Sequence, residues 1–335
     1  MLGERDIVDM LQLRGTDQEQ LFEAARDQRR AVFGDEVVVR GVTEIANGCR
    51  VNCQFCPMRR DNTRHNDGFR MTPDDLVDAA RTVHANDIDV VFFQGGEIPQ
   101  TTRVVGEALP RIRELYDGNV EILLNLGNKP HDEYAYLRDQ GATSYILKHE
   151  TSDPRLNEEM RFESLESRLD RMRDLLDLGY WVGTGAIIGL PGQTLASIAR
   201  DILLARDIGA HMCSVSPFVP APDTPLANHP PGDLDVAVNA IAASRLVRPD
   251  WLIPSVSALA KTREGGQFRG FTAGANVMTV NFTPNEQRDR YLIYGKDRFV
   301  VRRDYATDLI ASTGLRPRKS VFVGRTPARR REPIS

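Results

Sequence analysis

The sequence predicts an α/β chain closed into a (β/α)8 barrel of the TIM type. Three observations predict it. Eight short apolar segments, most of them rich in β-branched residues, recur along the chain. Amphipathic helical patterns separate most of them, the alternation that a parallel sheet needs. The residues best suited to chemistry fall just after strand-like segments, and barrel sites are built at that end. A doubly wound open sheet alternates in the same way, but eight units favour closure. A length of 335 residues fits one such barrel.

Residues 1–35 read as an N-terminal helical extension, with helices near 5–13 and 17–33. The second is expected to start at a capping box, Thr16-Asp17-Gln18-Glu19. Residues 36–300 read as the barrel. Val37–Ile45 is strand one. Thr72 as N-cap and Pro73 at the first position open a helix carrying Leu76, Val77, Ala80 and Val83 on one face. Asp89–Gln94 is strand two, and a helix covers 101–116. Val120–Leu126 is strand three, His131–Gln140 a short helix and Ser144–Leu147 strand four. Leu165, Leu169, Met172, Leu175 and Leu176 form a helical stripe that Gly179 stops. Trp181–Leu190 is strand five, followed by a helix over 195–208. His211–Val219 is strand six, Asp233–Val247 a helix, Trp251–Leu259 strand seven and Ala275–Asn281 strand eight. A helix after Pro284 and a short extended piece at Phe299–Val301 finish the barrel.

Residues 301–335 form a C-terminal extension with a basic tail: Arg316, Arg318, Lys319, Arg325, Arg329, Arg330, Arg331. It reads as a solvated, partly disordered end rather than a nucleic-acid arm. The net charge of −4, with both signs mixed, gives no argument for nucleic acid or an anionic membrane. No apolar run approaches the ~18 residues of a membrane span. The acids in M-L-G-E-R-D do not suit a secretory signal, and four cysteines, three of them clustered, do not make a disulfide framework. A reducing cytoplasm is the expected location.

The three clustered cysteines follow strand one as Cys49-x3-Cys53-x2-Cys56. Thiolates this close on one loop can face one centre. Structural zinc usually takes four ligands, and His65 is the residue able to complete a Cys3His site. Three cysteines also suit a 4Fe–4S cluster with one iron left for an outside ligand. One βα unit later comes Gly95-Gly96-Glu97. Its glycines admit close backbone approach, and its carboxylate suits an ammonium group.

With Phe55 just before the third cysteine, this pattern resembles the radical S-adenosylmethionine (radical SAM) family. The resemblance spans roughly residues 40–295 and implies a radical SAM barrel with two cofactors, one 4Fe–4S cluster and S-adenosylmethionine. It implies Cys49, Cys53 and Cys56 as cluster ligands. It also implies cofactor contacts at Phe55, Gly95, Gly96, Glu97, Glu150, Arg168 and Ile187. Glu97 would take the cofactor's amino group and Arg168 its carboxylate. Ile187, in Gly185-Ala186-Ile187-Ile188-Gly189, would lie beside adenine with Phe55 near it. The acid that usually ends that segment is replaced by Gly192.

Within the family the chain resembles the branch of biotin synthase, the diiron-hydrogenase maturase HydE and methylornithine synthase. The shared pieces are R-R-D-N at 59–62, K-H-E-T at 148–151, G-L-P-G-Q-T at 189–194, P-F-V-P-A-P-D-T-P-L-A at 217–227, G-A-N-V at 274–277 and N-F-T-P at 281–284. Lys148 stands where Arg is often found. Ser255 and Ser257 stand where paired threonines are expected. Cys213 is the one remaining cysteine, so a second cluster is not expected. Candidate substrate contacts are Asn125, His149, Thr151, Ser216, Ser255 and Ser257, with Arg263 or Arg269 for a carboxylate. These short polar groups suit a small polar, amino-acid-derived substrate, rearranged or joined through a new carbon–carbon bond. A maturase role is the first alternative; a zinc- or iron–sulfur-binding scaffold is the non-enzymatic one. The expected partners are a small-molecule substrate and a flavodoxin- or ferredoxin-type electron donor, without nucleic acid or membrane.

Overall fold

The computed structural model describes residues 2–63 and 68–327. Its strands are β1 (Glu36–Ala46), β2 (Val90–Gly95), β3 (Glu121–Asn125), β4 (Ser144–Ile146), β5 (Trp181–Ile188), β6 (Met212–Pro217), β7 (Val277–Asn281) and β8 (Arg316–Arg318). Seven of them form one parallel sheet in the order β6-β5-β4-β3-β2-β1-β7. The sheet curls until β6 and β7 face each other across one remaining gap.

The segment expected as strand seven fills that gap without becoming a regular strand. Met212 bridges Leu252, and Pro254 bridges Val277. Cys213 N donates to Leu252 O at 3.1 Å and Ser255 N to Val277 O at 3.0 Å. Pro254 has no N–H to offer a ladder, and the chain turns into a helix at Ser257–Thr262. The ring is therefore a parallel barrel closed by one irregular stave, and the segment expected as strand eight is β7.

β1 is buried almost throughout because it has neighbours on both edges and side chains packed on both faces. Its residues alternate. Val37 and Ile45 face the surrounding helices, whereas Val38 and Val42 enter the barrel. Val38, Val42, Phe92, Leu123, Met212, Leu252 and Val277 fill the barrel's middle and base. This leaves the C-terminal mouth open.

The helix Pro73–His84 starts as expected, with the Thr72 hydroxyl accepting from Asp75 N. The Thr16 cap does not form. The helix begins at Gly15 with Arg14 as N-cap and no side-chain cap bond, since a guanidinium has no acceptor to offer; Arg14 donates to Leu11 O and Leu13 O instead. Ile7, Leu11, Leu21 and Phe22 share a core with Ile198, Ile202 and Ile241 of the barrel helices.

Part of the basic tail is structural. Arg316–Arg318 adds as β8 to the start of β1. Arg318 pairs with Glu36 and Lys319 with Asp87. Phe322 stacks on Trp181 with ring centroids 4.2 Å apart. Acidic and aromatic groups at the barrel base hold this stretch, contrary to the solvated end expected. Arg329, Arg330 and Arg331 lie outside the described residues, as does His65. Among the described residues no helix is long and apolar enough to cross a membrane.

Candidate active site

A cavity of about 340 Å³ opens at the C-terminal ends of the strands. Cys49, Cys53, Cys56, Phe55, Gly95, Gly96, Glu97, Asn125, Glu150, Arg168, Ile187, Ser216, Ser255 and Ser257 all line it.

The cysteine loop is knitted to the end of β2. Arg50 N donates to Glu97 O at 3.0 Å, and Glu97 N donates to Cys49 Sγ at 3.3 Å. Val51 N adds a second donor to that sulfur at 3.4 Å. Gly96 is needed for this approach, since a Cβ there would stand 2.0 Å from Gly48 O. None of the cysteines is in a disulfide. Burial raises all three loop thiols, Cys53 to about 12, and for Cys53 it outweighs the opposing pull of Arg161. Such thiols give up their protons only when a cation takes the protons' place. Among the described residues no three His, Cys, Asp or Glu side chains are grouped to hold a single ion. A cubic iron–sulfur cluster takes its thiolates at separate corners. Three thiols around one cavity, with N–H donors already on one sulfur, fit that group.

Glu97 and Arg168 meet beside the loop. Arg168 Nη1 is 3.1 Å from Glu97 Oε1, and Arg50 Nη2 is 3.0 Å from Oε2. Burial pushes the Glu97 carboxyl up. Arg168, Arg161 and Arg50 outweigh it and hold Glu97 below the usual carboxylate range. Gly127, at φ +73°, makes room, because a Cβ there would fall 1.7 Å from Glu97 Cγ.

Glu150 sits in the left-handed region at φ 66°, which is costly for a residue with a Cβ. Its backbone nevertheless pairs with β5, N to Gly185 O and O to Ile187 N. Lys148 Nζ pairs with Glu150 Oε2 at 3.0 Å. Burial raises Glu150, but Lys148 and Arg161 leave its carboxyl lowered. Phe55 packs against Ile187 in a small apolar cluster on the same wall.

Two candidates turn away from the cavity. Lys148 and Glu150 line it, so the alternate residues His149 and Thr151 face the outer shell. His149 Nδ1 lies 2.9 Å from Thr184 Oγ1, and its Nε2 is 4.0 Å from Asp201 Oδ1. Thr151 is fully buried, with Asn157 Nδ2 donating to its carbonyl. Ser255 reaches the wall, but its hydroxyl donates to Gln267 O at 2.7 Å. Arg263 and Arg269 face Asp235 on the outer helices and do not line the cavity.

Sequence reasoning missed two parts of the lining. The first is Arg161, the last residue of a helix Pro154–Arg161 that was not expected. Asp153 caps that helix and Pro154 occupies its first position, a signal present in the sequence. The second is the strap after β7. Tyr291, Ile293, Tyr294 and Arg298 cross the mouth and line it. The strap is fastened by a two-pronged pair between Arg298 and Glu44, 2.5 and 2.6 Å long. It carries no periodicity that would reveal it.

The barrel, with a three-cysteine loop after its first strand and an acid–arginine cluster beside that loop, defines an iron–sulfur radical enzyme. The chain belongs to the radical SAM superfamily, enzymes that use a 4Fe–4S cluster and S-adenosylmethionine. The Radical SAM superfamily pattern matches residues 43–205. The chain is 36% identical over 290 residues to the [FeFe] hydrogenase maturase subunit HydE of Thermotoga maritima, covering 86% of this chain and 82% of that one. It is 26% identical over 307 residues to 3-methylornithine synthase of Methanosarcina barkeri, covering 88% and 84%. The crystal structure of methylornithine synthase (PylB) superposes with a TM-score of 0.82 over 95% of this chain and 94% of that one, at 23% identity, and shares the fold.

Proposed function

We propose that the mouth cavity is where this radical SAM enzyme acts on a small polar, amino-acid-derived substrate. When bound together, the cluster and S-adenosylmethionine supply a 5′-deoxyadenosyl radical that takes a hydrogen atom from substrate. In this reading Cys49, Cys53 and Cys56 hold three irons. Glu97 receives the cofactor's ammonium and Arg168 its carboxylate. The two residues already face each other, so one amino-acid head group can satisfy both. Glu150, paired with Lys148, turns its carboxylate toward the cofactor's polar part, while Phe55 and Ile187 give the adenine an apolar wall. Arg298 and Glu44 keep the strap across the mouth, which limits water around the reacting atoms.

The single observation that supports this reading is that one cavity is lined by the cysteine triad, Glu97, Glu150, Arg168 and a polar floor. Asn125, Lys148, Ser216, Ser257 and Asn281 belong to that floor. Lys148, 3.3 Å from Ser216 Oγ, suits a substrate carboxylate. The electron comes from a flavodoxin- or ferredoxin-type donor in a reducing cytoplasm. The test is deuterium transfer into 5′-deoxyadenosine from perdeuterated amino acids. Cleavage of S-adenosylmethionine with no transfer removes the amino-acid reading.

The maturase role is the second reading, and the 36% identity to HydE across 86% of the chain favours it. It predicts that this chain restores hydrogenase activity in a maturation mixture lacking that subunit.

A further inference from the structure

Arg161 is a buried charged residue of the cavity wall to which the proposed function gives no task. Its side chain is 5% exposed. Nη1 donates to Cys53 Sγ at 3.7 Å. Nη2 reaches Glu97 Oε1 at 3.4 Å and Glu163 Oε2 at 2.9 Å. Glu97 Oε1 is the same oxygen that Arg168 holds at 3.1 Å. One guanidinium thus joins a loop sulfur to the carboxylate assigned to the cofactor's ammonium.

The local fold is bent to bring it there. Gln54, next to Cys53, clamps the end of the Arg161 helix. Its N–H donates to Met160 O at 2.8 Å, and its side chain donates to Glu159 O at 2.6 Å. The next residue, Phe162, is left-handed at φ 59°. A bulky side chain pays for that conformation, and Phe162 is 59% exposed, so its own burial returns little. The turn sends Arg161 inward and lets Glu163 pair with it.

We propose that Arg161 is a positioning residue that sets the charge at the Cys53 sulfur, raises the reduction potential of the cluster and couples that potential to cofactor binding. A reduced cluster carries one more negative charge, so a cationic donor on a ligand sulfur stabilises the reduced form. Glu97 and Glu163 partly neutralise the guanidinium. An ammonium bound at Glu97 competes for the carboxylate and leaves Arg161 more positive toward Cys53. Cofactor binding then shifts the potential upward through this residue. The inference rests on the cysteine triad as cluster ligands and Glu97 as the ammonium site.

The experiment is a dithionite titration of the anaerobically reconstituted full chain, followed by electron paramagnetic resonance, with and without S-adenosylmethionine. Arg161→Met is expected to keep four irons, to move the midpoint to a more negative potential and to show a smaller shift on adding the cofactor. Glu163→Gln, which removes a partner lying outside the cofactor contacts, is expected to move the midpoint to a more positive value. Midpoints and cofactor-induced shifts equal to wild type in both variants overturn the proposal. If Arg161→Met does not load iron, an unmoved midpoint in Glu163→Gln overturns it alone. A wild-type chain that takes up no four-iron cluster overturns the underlying reading along with the inference.

Discussion

Arg168 and Glu97, 71 residues apart in sequence, form a buried pair with Nη1 3.1 Å from Oε1 and each side chain 6% exposed. Glu97 also faces Arg50 and Arg161, so one carboxylate serves three guanidinium groups. Glu163 faces Arg161 and Arg50 as a second carboxylate, so three guanidiniums meet two carboxylates, which suits a ligand bringing a carboxylate of its own. In the proposed assignment the ammonium of the same ligand shares Glu97.

Glu97→Gln removes the shared negative charge and keeps the side chain's volume. A charge-assisted hydrogen bond contributes about 1.5–3 kcal/mol, so affinity for S-adenosylmethionine should fall about 10- to 100-fold. Two buried arginines, Arg161 and Arg168, and the exposed Arg50 would lose their common partner, and thermal stability should fall too. Iron content should stay near wild type. Equilibrium dialysis with labelled cofactor, alongside iron analysis, checks both.

Two glycines near Glu97 should fail in different ways. A Cβ at Gly96 would strike Gly48 O and Cys49, so Gly96→Ala should disturb the cysteine loop and lower iron content. A Cβ at Gly127 would strike the Glu97 side chain first, in a backbone conformation that costs an alanine about 1–2 kcal/mol. Gly127→Ala should retain iron and bind S-adenosylmethionine at least about tenfold more weakly, since it displaces one charge-assisted contact. Identical iron and binding profiles for the two variants would contradict this division.

The buried pair behind Glu150 predicts a pH effect. Burial lowers His149 to about 3 and His211 to about 4, and raises Asp201 to about 7. A depressed histidine favours folding above its ordinary 6.5 and loses that benefit as pH falls toward the folded value. A raised aspartate favours folding below its ordinary 3.8 and loses that benefit as pH climbs through about 7. Between pH 5 and 6.5 the two histidines make stability rise with pH, and Asp201 offsets one of them. Asp201→Asn removes the offset. Stability should then rise more steeply with pH between 5 and 6.5. Urea unfolding at several pH values measures the slope, and parallel curves for variant and wild type would refute it.

At the barrel base, Phe322→Ala removes the stack on Trp181. Loss of the ring contact should cost about 1–3 kcal/mol, because Phe322 is only half-buried and gives less than a core aromatic. Cluster loading at the opposite end should be untouched. A variant as stable as wild type would mean that the tail contributes nothing to the barrel.

The parts of the site written in adjacent residues were legible in the sequence. The cysteine spacing and Gly95-Gly96-Glu97 are local patterns, and each lies on the cavity wall. His149 and Thr151 do not line the cavity, as period-two alternation beside Glu150 requires. Once Glu150 faces the mouth, its neighbours face away. Pro254 argued against a regular strand seven, and the structure has bridges there instead. Arg161 depends on an eight-residue helix whose start is marked in the sequence by Asp153-Pro154 alone. The strap was not legible at all. Tyr291 and Arg298 are held by Gln94 and Glu44, which lie far away in the chain.

The most direct test is to reconstitute the chain anaerobically, count iron, and assay 5′-deoxyadenosine after adding dithionite and S-adenosylmethionine. Wild type and Cys213→Ser should each bind about four irons and release the nucleoside, while Cys53→Ala should lose the cluster and the product together. A Cys53→Ala protein that cleaves S-adenosylmethionine as well as wild type would contradict the account.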